Sequence, residues 1–230
     1  KRKSELSGTI NFLSSNLKNH IKSEEPQDVN YWTNRSLTDQ KKDWRYNEKD
    51  WIEGYRLSVV HPHRQLIIDA LRDFTAFSSV FEIGCNTGAN LLRIRTEYNI
   101  EVAGIDVNEL AIESAKQLLP ESRLIVGNYQ KLPRKQYDVV LSDAALIYAK
   151  PEDIFNISNE MHRLCKKGMI LVERYSPSVR GEVVSNTWGR DYKALFENIG
   201  YRVTERSLTE EEWPDSPSWL KYGRLYICKK

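Results

Sequence analysis

The sequence has few cysteines, and their placement excludes two kinds of cross-link. Cys85, Cys165 and Cys228 form no Cys-x-x-Cys pair and have no histidine cluster beside them at ligand spacing. Structural zinc and a disulfide framework are therefore not expected, and no other metal site is predicted. This cysteine usage fits a reducing cytosol best.

Long apolar runs are also missing. No stretch approaches the roughly 20 apolar residues that span a bilayer, and the basic start KRKSELSGTI is not followed by the apolar core of a signal peptide. We expect a soluble, cytoplasmic protein that has no membrane partner.

A strong excess of charge of one sign is absent as well. Among 230 residues, 34 are basic and 32 are acidic, which gives a formal net charge of +2. Such a chain has no overall field that gathers polyanions, so nucleic acid is not favoured as a partner. The length suits one domain with an extension rather than two average domains.

The first part of the chain predicts a helical extension. Apolar residues recur every three or four positions, as in an amphipathic helix over residues 5–22; they are Leu6, Ile10, Leu13, Leu17 and Ile21. A homodimer and a contact within the chain explain this stripe equally well. Residues 23–30 are polar and contain Pro26, which indicates a linker.

A second helix is predicted after SLTD, where Ser36 or Thr38 can cap it. It carries Trp44, Trp51 and Tyr55 at spacings of seven and four. These aromatic residues form either a core face or a lid over a substrate.

From residue 61 the pattern changes to alternating helices and strands. HPHRQLIIDALRDF predicts a helix that has Pro62 in its first turn. Apolar segments predict seven strands, at residues 79–83, 101–106, 123–127, 137–143, 168–173, 200–206 and 223–229. Helices are predicted between them, at residues 89–98, 108–118, 151–166 and 188–198. This alternation predicts a mostly parallel sheet, and the proline-containing final connection predicts a terminal antiparallel hairpin.

The stretch FEIGCNTGAN, residues 81–90, has the form of a strand that turns into a ligand-binding loop. Free amides at the start of the next helix point at the ligand. A dinucleotide site has the pattern G-x-G-x-x-G, whereas here Asn86 replaces the middle glycine and Gly88 comes one residue early. Glu82 is an awkward neighbour for a pyrophosphate but accepts from an ammonium group.

The second strand supplies the other half of the site. Asp106 ends EVAGID about 20 residues after the turn, where a carboxylate accepts both hydroxyls of a ribose. A ribose joined to a cationic amino-acid tail indicates S-adenosylmethionine.

At this point the chain resembles the class I S-adenosylmethionine-dependent methyltransferases. VFEIGCNTG is similar to the first motif of the family, GIDVNELAIESAK to the second, VGNYQKLP to the third and YDVVLSDAALIY to the fourth. The resemblance covers about residues 61–230. The sequence departs from the family at Asn86, which replaces a glycine, and at Asn128, where many members have Asp.

The resemblance implies an α/β fold, a doubly wound Rossmann-like sheet of seven mostly parallel strands with an antiparallel terminal strand. It implies S-adenosylmethionine as the cofactor. The helical pattern before residue 61 adds an N-terminal helical extension. The predicted division is a helical extension or lid over residues 1–58 and a methyltransferase domain over residues 59–230. The lid and the loop at 207–222 are expected to close over the pocket and exclude water.

Position by position, the resemblance implies a set of cofactor-binding residues. Those around the methionine part are Glu82, Gly84 and Gly88, with Asp106 on the ribose and Val107, Asn128 and Tyr129 around the adenine. Cys85 and Asn86, in the same turn, are also predicted to bind the cofactor. Ser142 and Asp143 lie beside the methyl group. Arg64 is predicted to pair with the methionine carboxylate, since a guanidinium offers two donors to a carboxylate.

The methyl acceptor is less well defined. Members that methylate exocyclic or amide nitrogens commonly have Asn or Asp before Pro-Pro-Tyr, but Asp143 is followed by Ala-Ala-Leu. A hydroxyl acceptor needs a base, and His61 or His63 is a candidate because histidine titrates near neutrality. Tyr148 and Glu173 follow strands at the expected pocket and are further catalytic candidates, while Trp188, Trp213 and Trp219 are candidates for stacking.

These observations favour a methyltransferase of a small molecule, with a hydroxyl on a sugar or secondary metabolite slightly preferred to an amine. An enzyme that modifies RNA or protein is one alternative, although the acidic segment TEEEWPD disfavours it. A non-catalytic module that binds the cofactor is the other.

Overall fold

The computed structural model describes residues 26–36 and 50–230. The predicted helix over residues 5–22, the homodimer hypothesis based on it, and Trp44 lie outside these ranges.

The central element is a seven-stranded sheet in the order β3-β2-β1-β4-β5-β9-β8. Its strands are β1 (Ser79–Ile83), β2 (Glu101–Asp106), β3 (Arg123–Val126), β4 (Tyr137–Asp143), β5 (Cys165–Arg174), β8 (Arg202–Ser207) and β9 (Gly223–Lys229). The first five are parallel to one another, and β9 runs antiparallel to both β5 and β8. A separate hairpin pairs β6 (Glu182–Val184) with β7 (Thr187–Gly189).

Helices cover both faces of the sheet. They are α1 (Val29–Thr33), α2 (Trp51–Leu57), α3 (His63–Leu71), α4 (Ala89–Tyr98), α5 (Glu109–Leu118), α6 (Ile154–Leu164), α7 (Tyr192–Glu197) and α8 (Pro217–Tyr222). Across residues 26–36 and 50–230, every helix is too short or too polar to traverse a bilayer.

Two buried clusters lie on opposite faces of the sheet because successive strand residues point in opposite directions. Val80 and Val139 belong to one cluster, with side chains of α3, α4 and α5. Phe81 and Val140 belong to the other, with side chains of α6 and α7. Burial on both faces explains why the strand sequences are almost continuously apolar.

The predicted Rossmann-like fold, with its antiparallel terminal strand, is confirmed. Several details differ from the predictions. The helix predicted from residue 188 begins at Tyr192, since the preceding residues form β7. Part of the predicted final loop forms α8, which has Pro217 in its first turn.

The predicted linker and helix cap also differ from the structure. Val29 and Asn30 lie in α1, because Asp28 caps it by accepting from the Asn30 amide at 2.8 Å. Asp50 caps α2 in the same way, by accepting from the Glu53 amide. The predicted cap Thr38 lies outside the described ranges.

Candidate active site

A cavity of about 510 Å³ lies at the carboxyl ends of β1, β2 and β4. This is the edge at which parallel α/β sheets bind their ligands. Two other parts of the chain complete its wall. Trp32 and Tyr55 come from the N-terminal segment, and Trp213 and Trp219 come from the connection between β8 and β9.

The turn from β1 into α4 needs three left-handed residues, Gly84, Asn86 and Gly88, whose φ values are 72°, 46° and 79°. Asn is the side chain that best tolerates this region after glycine, which explains the departure from the family pattern. At Gly84 a Cβ atom would also lie only 2.4 Å from the Ala145 Cβ. The amides of Gly84 and Cys85 donate to the Ile105 carbonyl, so the turn is tied to the end of β2.

Asp106 lies where this turn meets the loop after β2. Its two carboxylate oxygens accept from the amides of Asn86 and Asn108, each at 2.9 Å. Burial raises the pKa of Asp106 despite these bonds. Each oxygen of a carboxylate has a second acceptor site, so a fixed Asp106 at the cavity wall suits a ligand with paired hydroxyls.

Asn90, in the first turn of α4, joins two buried carboxylates. Its amide nitrogen donates to Glu82 Oε1 at 2.6 Å and to Asp143 Oδ2 at 2.9 Å. Its carbonyl oxygen accepts from Arg64 Nη1 at 2.6 Å. The other oxygens, Glu82 Oε2 and Asp143 Oδ1, are buried and have no hydrogen-bond partner within the described part of the chain.

The two carboxylates differ in their charge. Burial raises the pKa of Glu82 to about 8, and repulsion from Asp143 contributes to the rise. Burial also opposes the charge of Asp143, but attraction to His63 and Arg64 prevails and lowers the pKa of Asp143 to about 2. At neutral pH the site therefore contains one fixed anion beside one carboxyl group that a ligand cation can ionise.

A pair of histidines extends this network. His63 Nε2 lies 3.0 Å from Asp143 Oδ2, and the Nδ1 atoms of His61 and His63 are 2.5 Å apart. One proton therefore lies between the two rings. Trp213 stacks on His63 with ring centroids 4.4 Å apart, which holds the imidazole against Asp143.

The aromatic wall continues from Trp213. Trp219 stacks on it at 4.2 Å, and the guanidinium of Arg174 lies 5.0 Å from the Trp219 ring. Elsewhere in the wall, Tyr148 is edge-on to Trp32 at 5.7 Å. Burial raises the pKa of Tyr148.

The N-terminal segment is attached to the site through Asn108. Its side-chain amide donates to the carbonyls of Trp32 and Arg35, at 2.8 and 2.9 Å. Asp28 adds an ion pair with Lys150 at 3.0 Å. These contacts hold α1 over the cavity.

Most of the predicted site residues line the cavity. They are His61, His63, Arg64, Glu82, Gly84, Cys85, Asn86, Asp106, Val107, Asn128, Tyr129, Asp143 and Tyr148. Asn128 Oδ1 already accepts from the Gln130 amide, and the Tyr129 hydroxyl donates to Asp153. Arg64 also donates to the carbonyl and hydroxyl oxygens of Ser58, so its guanidinium orients the neighbouring network.

Three predicted residues, Gly88, Ser142 and Glu173, do not line the cavity. Glu173 is completely buried, and its carboxylate accepts from the Ser142 hydroxyl at 2.7 Å. It also accepts from the amides of Ala145, Leu146 and Ile147. Glu173 therefore holds the loop after β4 from beneath. Trp188 is likewise absent from the cavity wall, because it lies in β7.

Asn90 and Arg174 are among the cavity residues that were not predicted from the sequence. Asn90 is a buried polar residue on the inward face of α4. A polar residue on an otherwise apolar helix face is the sequence feature that could have indicated its role. Arg174 ends the apolar run of β5, where a basic residue at the carboxyl edge of the sheet is a similar signal. Residues 26–36 and 50–230 contain no cluster of three or more side chains arranged to hold a metal ion.

Comparisons with known proteins agree with this geometry. A family model described as a methyltransferase domain matches residues 80–168. A curated relative, an uncharacterized protein of Haemophilus influenzae, is 23% identical over 150 residues, which are 61% of this chain and 56% of that protein. The chain thus spans only about half the length of this relative.

Solved structures give the same fold. Magnesium protoporphyrin IX methyltransferase of Synechocystis, with bound S-adenosylmethionine, is 15% identical, with a TM-score of 0.53 and coverage of 77% of this chain and 81% of that one. The plantazolicin methyltransferase BpumL, with S-adenosylhomocysteine, is 15% identical, with a TM-score of 0.57 and coverage of 88% and 94%. A methyltransferase complexed with the Haloferax volcanii activator Trm112 is 18% identical, with a TM-score of 0.59 and coverage of 78% and 95%.

The predicted Rossmann-like methyltransferase fold is therefore confirmed, and residues 80–168 match a methyltransferase domain. The division at residue 58 and the individual site roles stay predictions.

Proposed function

We propose that the protein is an S-adenosylmethionine-dependent methyltransferase that acts on a small-molecule acceptor, with a hydroxyl of a sugar or secondary metabolite favoured over an amine. One observation carries the proposal. Glu82 and Asp143 line a cavity that Asp106 also lines, and each has a buried carboxylate oxygen without a hydrogen-bond partner in the described part of the chain. Unpaired buried acceptors are costly, and a ligand cation compensates them.

The residues at this cavity fit the cofactor. Glu82 Oε2 and Asp143 Oδ1 are acceptors for its ammonium group, and Asp106 is the acceptor for its ribose hydroxyls. Asn128, Tyr129 and Val107 are the proposed adenine wall. When bound, S-adenosylmethionine supplies an electrophilic methyl group for in-line displacement, so the protein mainly aligns the acceptor and removes a proton.

We assign proton removal to the His61–His63 pair. With two ring protons, the pair donates from His63 Nε2 to Asp143 and shares one proton between its Nδ1 atoms. A third proton, taken from an acceptor hydroxyl, makes one ring an imidazolium. Asp143 stabilises that charge because its carboxylate is ionised at neutral pH.

A small acceptor suits the enclosure of the site. A cavity of about 510 Å³ is within the ordinary size range for small ligands. Tyr55 and Trp32 on one side and Trp213 on the other form the proposed lid, which excludes water. Structural neighbours named for magnesium protoporphyrin IX and plantazolicin support an acceptor of this class.

Isotope transfer tests the proposal. The purified protein is incubated with S-adenosylmethionine carrying a CD3 group and with separate small-molecule, RNA and protein fractions, and products are analysed by mass spectrometry. We expect a deuterated small molecule. Asp143→Asn keeps the side-chain shape but removes the anion, so turnover should fall at least about 100-fold, whereas the exposed Glu113→Gln should match the wild type.

The other outcomes are equally informative. Label found only in RNA or protein would overturn the small-molecule acceptor. Tight binding of S-adenosylhomocysteine without turnover in any fraction would indicate a non-catalytic module.

A further inference from the structure

We propose that the methyl acceptor carries an anionic group, a carboxylate or a phosphate, and that Arg174 binds this group. The inference rests on the proposed function and names the class of its substrate. It assigns a specificity-determining role to a residue that lines the cavity at the end of β5.

The first observation is the hydrogen bonding of Arg174. Its Nη1 donates to the Thr187 hydroxyl at 2.7 Å and to the Ser185 carbonyl at 3.0 Å, so the hairpin of β6 and β7 fixes the guanidinium in place. Its Nε is buried and has no hydrogen-bond partner in residues 26–36 and 50–230. A fixed guanidinium with an unused donor at a cavity wall is preorganised for an acceptor oxygen.

The second observation is the lack of a compensating charge. The structure shows no ion pair between Arg174 and a carboxylate within the described ranges; burial lowers the pKa of Arg174, and the nearby Tyr148 and Glu173 only partly oppose this effect. The adjacent Glu173 is engaged by the Ser142 hydroxyl and by amides of the loop after β4. A partly buried cation without an ion pair costs free energy that a ligand anion can offset.

The third observation is the aromatic surface beside the guanidinium. Trp219 carries Arg174 on its face and stacks on Trp213, which in turn stacks on His63. The guanidinium thus lies at one end of a row of three stacked rings, and the acidic network around Asp143 lies at the other end. An acceptor with an anionic group near Arg174 therefore leaves the acidic side to the cationic cofactor.

The other basic residue in the wall is a weaker candidate. Lys150 also lines the cavity, but Asp28 forms an ion pair with it at 3.0 Å. A purely structural role for Arg174, as a clamp on the hairpin, explains its bonds to Thr187 and Ser185. It does not account for the buried, unpartnered Nε at the cavity wall.

Fragment binding tests the proposal. The full-length protein, saturated with S-adenosylhomocysteine, is titrated with benzoate, phenyl phosphate and the neutral benzamide, and the Arg Nε–H signals are followed by 15N-edited NMR. We expect the anions to shift the Arg174 signal and to bind about 10- to 100-fold more tightly than benzamide. Whichever of benzoate and phenyl phosphate binds more tightly identifies the anion.

Variants of Arg174 and Thr187 distinguish anion binding by Arg174 from its structural role in holding the hairpin of β6 and β7. Arg174→Gln should remove the preference for anions while S-adenosylhomocysteine still binds, and Arg174→Lys should restore part of it. Thr187→Val removes a bond of the clamp but leaves the guanidinium, so the preference should persist. The exposed Arg202→Gln serves as the charge-matched control.

Two results would overturn the inference. One is equal binding of benzoate and benzamide by the wild type; the other is an anion preference that survives in Arg174→Gln. If the wild type does not bind S-adenosylhomocysteine, the proposed function itself fails, and the two failures are thereby distinguished.

Discussion

Binding of the cofactor is expected to release a proton from Glu82. Burial raises the pKa of this carboxyl to about 8 in the free protein, so roughly nine in ten molecules hold the proton at pH 7. An ammonium group beside Oε2 favours the ionised form and lowers the pKa. About 0.9 proton should therefore leave for each S-adenosylhomocysteine bound at pH 7.

The same linkage fixes the pH dependence of affinity. Below pH 8 the proton must be removed before the ion pair forms, so affinity should rise by up to about tenfold per pH unit as pH approaches 8. Asp143 contributes no proton, since its pKa of about 2 keeps it ionised throughout. Above pH 8 the dependence due to Glu82 should disappear.

Isothermal titration calorimetry at pH 7 in phosphate and in Tris measures the released proton, because the two buffers differ in ionisation enthalpy. Glu82→Gln should abolish the release and weaken binding by about 10- to 100-fold, and Glu113→Gln should change neither. Identical heats in both buffers, with an affinity that stays flat from pH 6 to 9, would refute the role of Glu82.

Three further predictions concern the ribose site and the loops. Asp106→Asn should weaken S-adenosylhomocysteine binding by about tenfold or more in calorimetry, and unchanged affinity would remove Asp106 from the ribose site. Glu173→Ala leaves the Ser142 hydroxyl and three loop amides unpartnered, so urea unfolding should show a loss of about 3–5 kcal/mol because buried donors without acceptors are costly; a loss under 1 kcal/mol would show that Glu173 does not hold the loop after β4. Gly84→Ala adds a Cβ 2.4 Å from that of Ala145, whereas Gly200→Ala is strained at φ 97° but meets nothing within 4 Å. Gly84→Ala should therefore be the more destabilising by about 1–3 kcal/mol, and equal losses would remove the clash from the account.

The sequence predicted the sheet well because its strands are buried on both faces. An apolar run such as YDVVLSD has one interpretation when glycine or polar turns bound it, and β4 has the predicted ends, Tyr137–Asp143. The fifth strand begins earlier than predicted, at Cys165, since pairing with Tyr137 extends it beyond its apolar run. Tertiary pairing of this kind leaves little local signal.

The residues on the cofactor side of the cavity could also be predicted from the sequence. Glu82, the glycine turn and Asp106 lie within two consecutive strand–helix units, so local order fixes their spacing. The acceptor side draws on distant segments, and single residues there are ambiguous. Glu173 was predicted to hold an acceptor because it ends a strand, but it faces the amides of the loop after β4.

Arg174 is a cavity residue that the sequence analysis did not identify. Its one local signal, a basic residue at the end of an apolar strand, does not by itself separate it from a surface arginine. Its candidate role depends on Trp219, which lies on a different segment, and on the hairpin of β6 and β7, which fixes its guanidinium. Only the folded chain brings these parts together.

The central claim is that Glu82, Asp143 and Asp106 together bind one S-adenosylmethionine. Calorimetric titration with S-adenosylhomocysteine and, in parallel, with a nicotinamide dinucleotide tests it most directly. The account predicts stoichiometric binding of the first compound and none of the second. Binding of the dinucleotide with no heat from S-adenosylhomocysteine would contradict it.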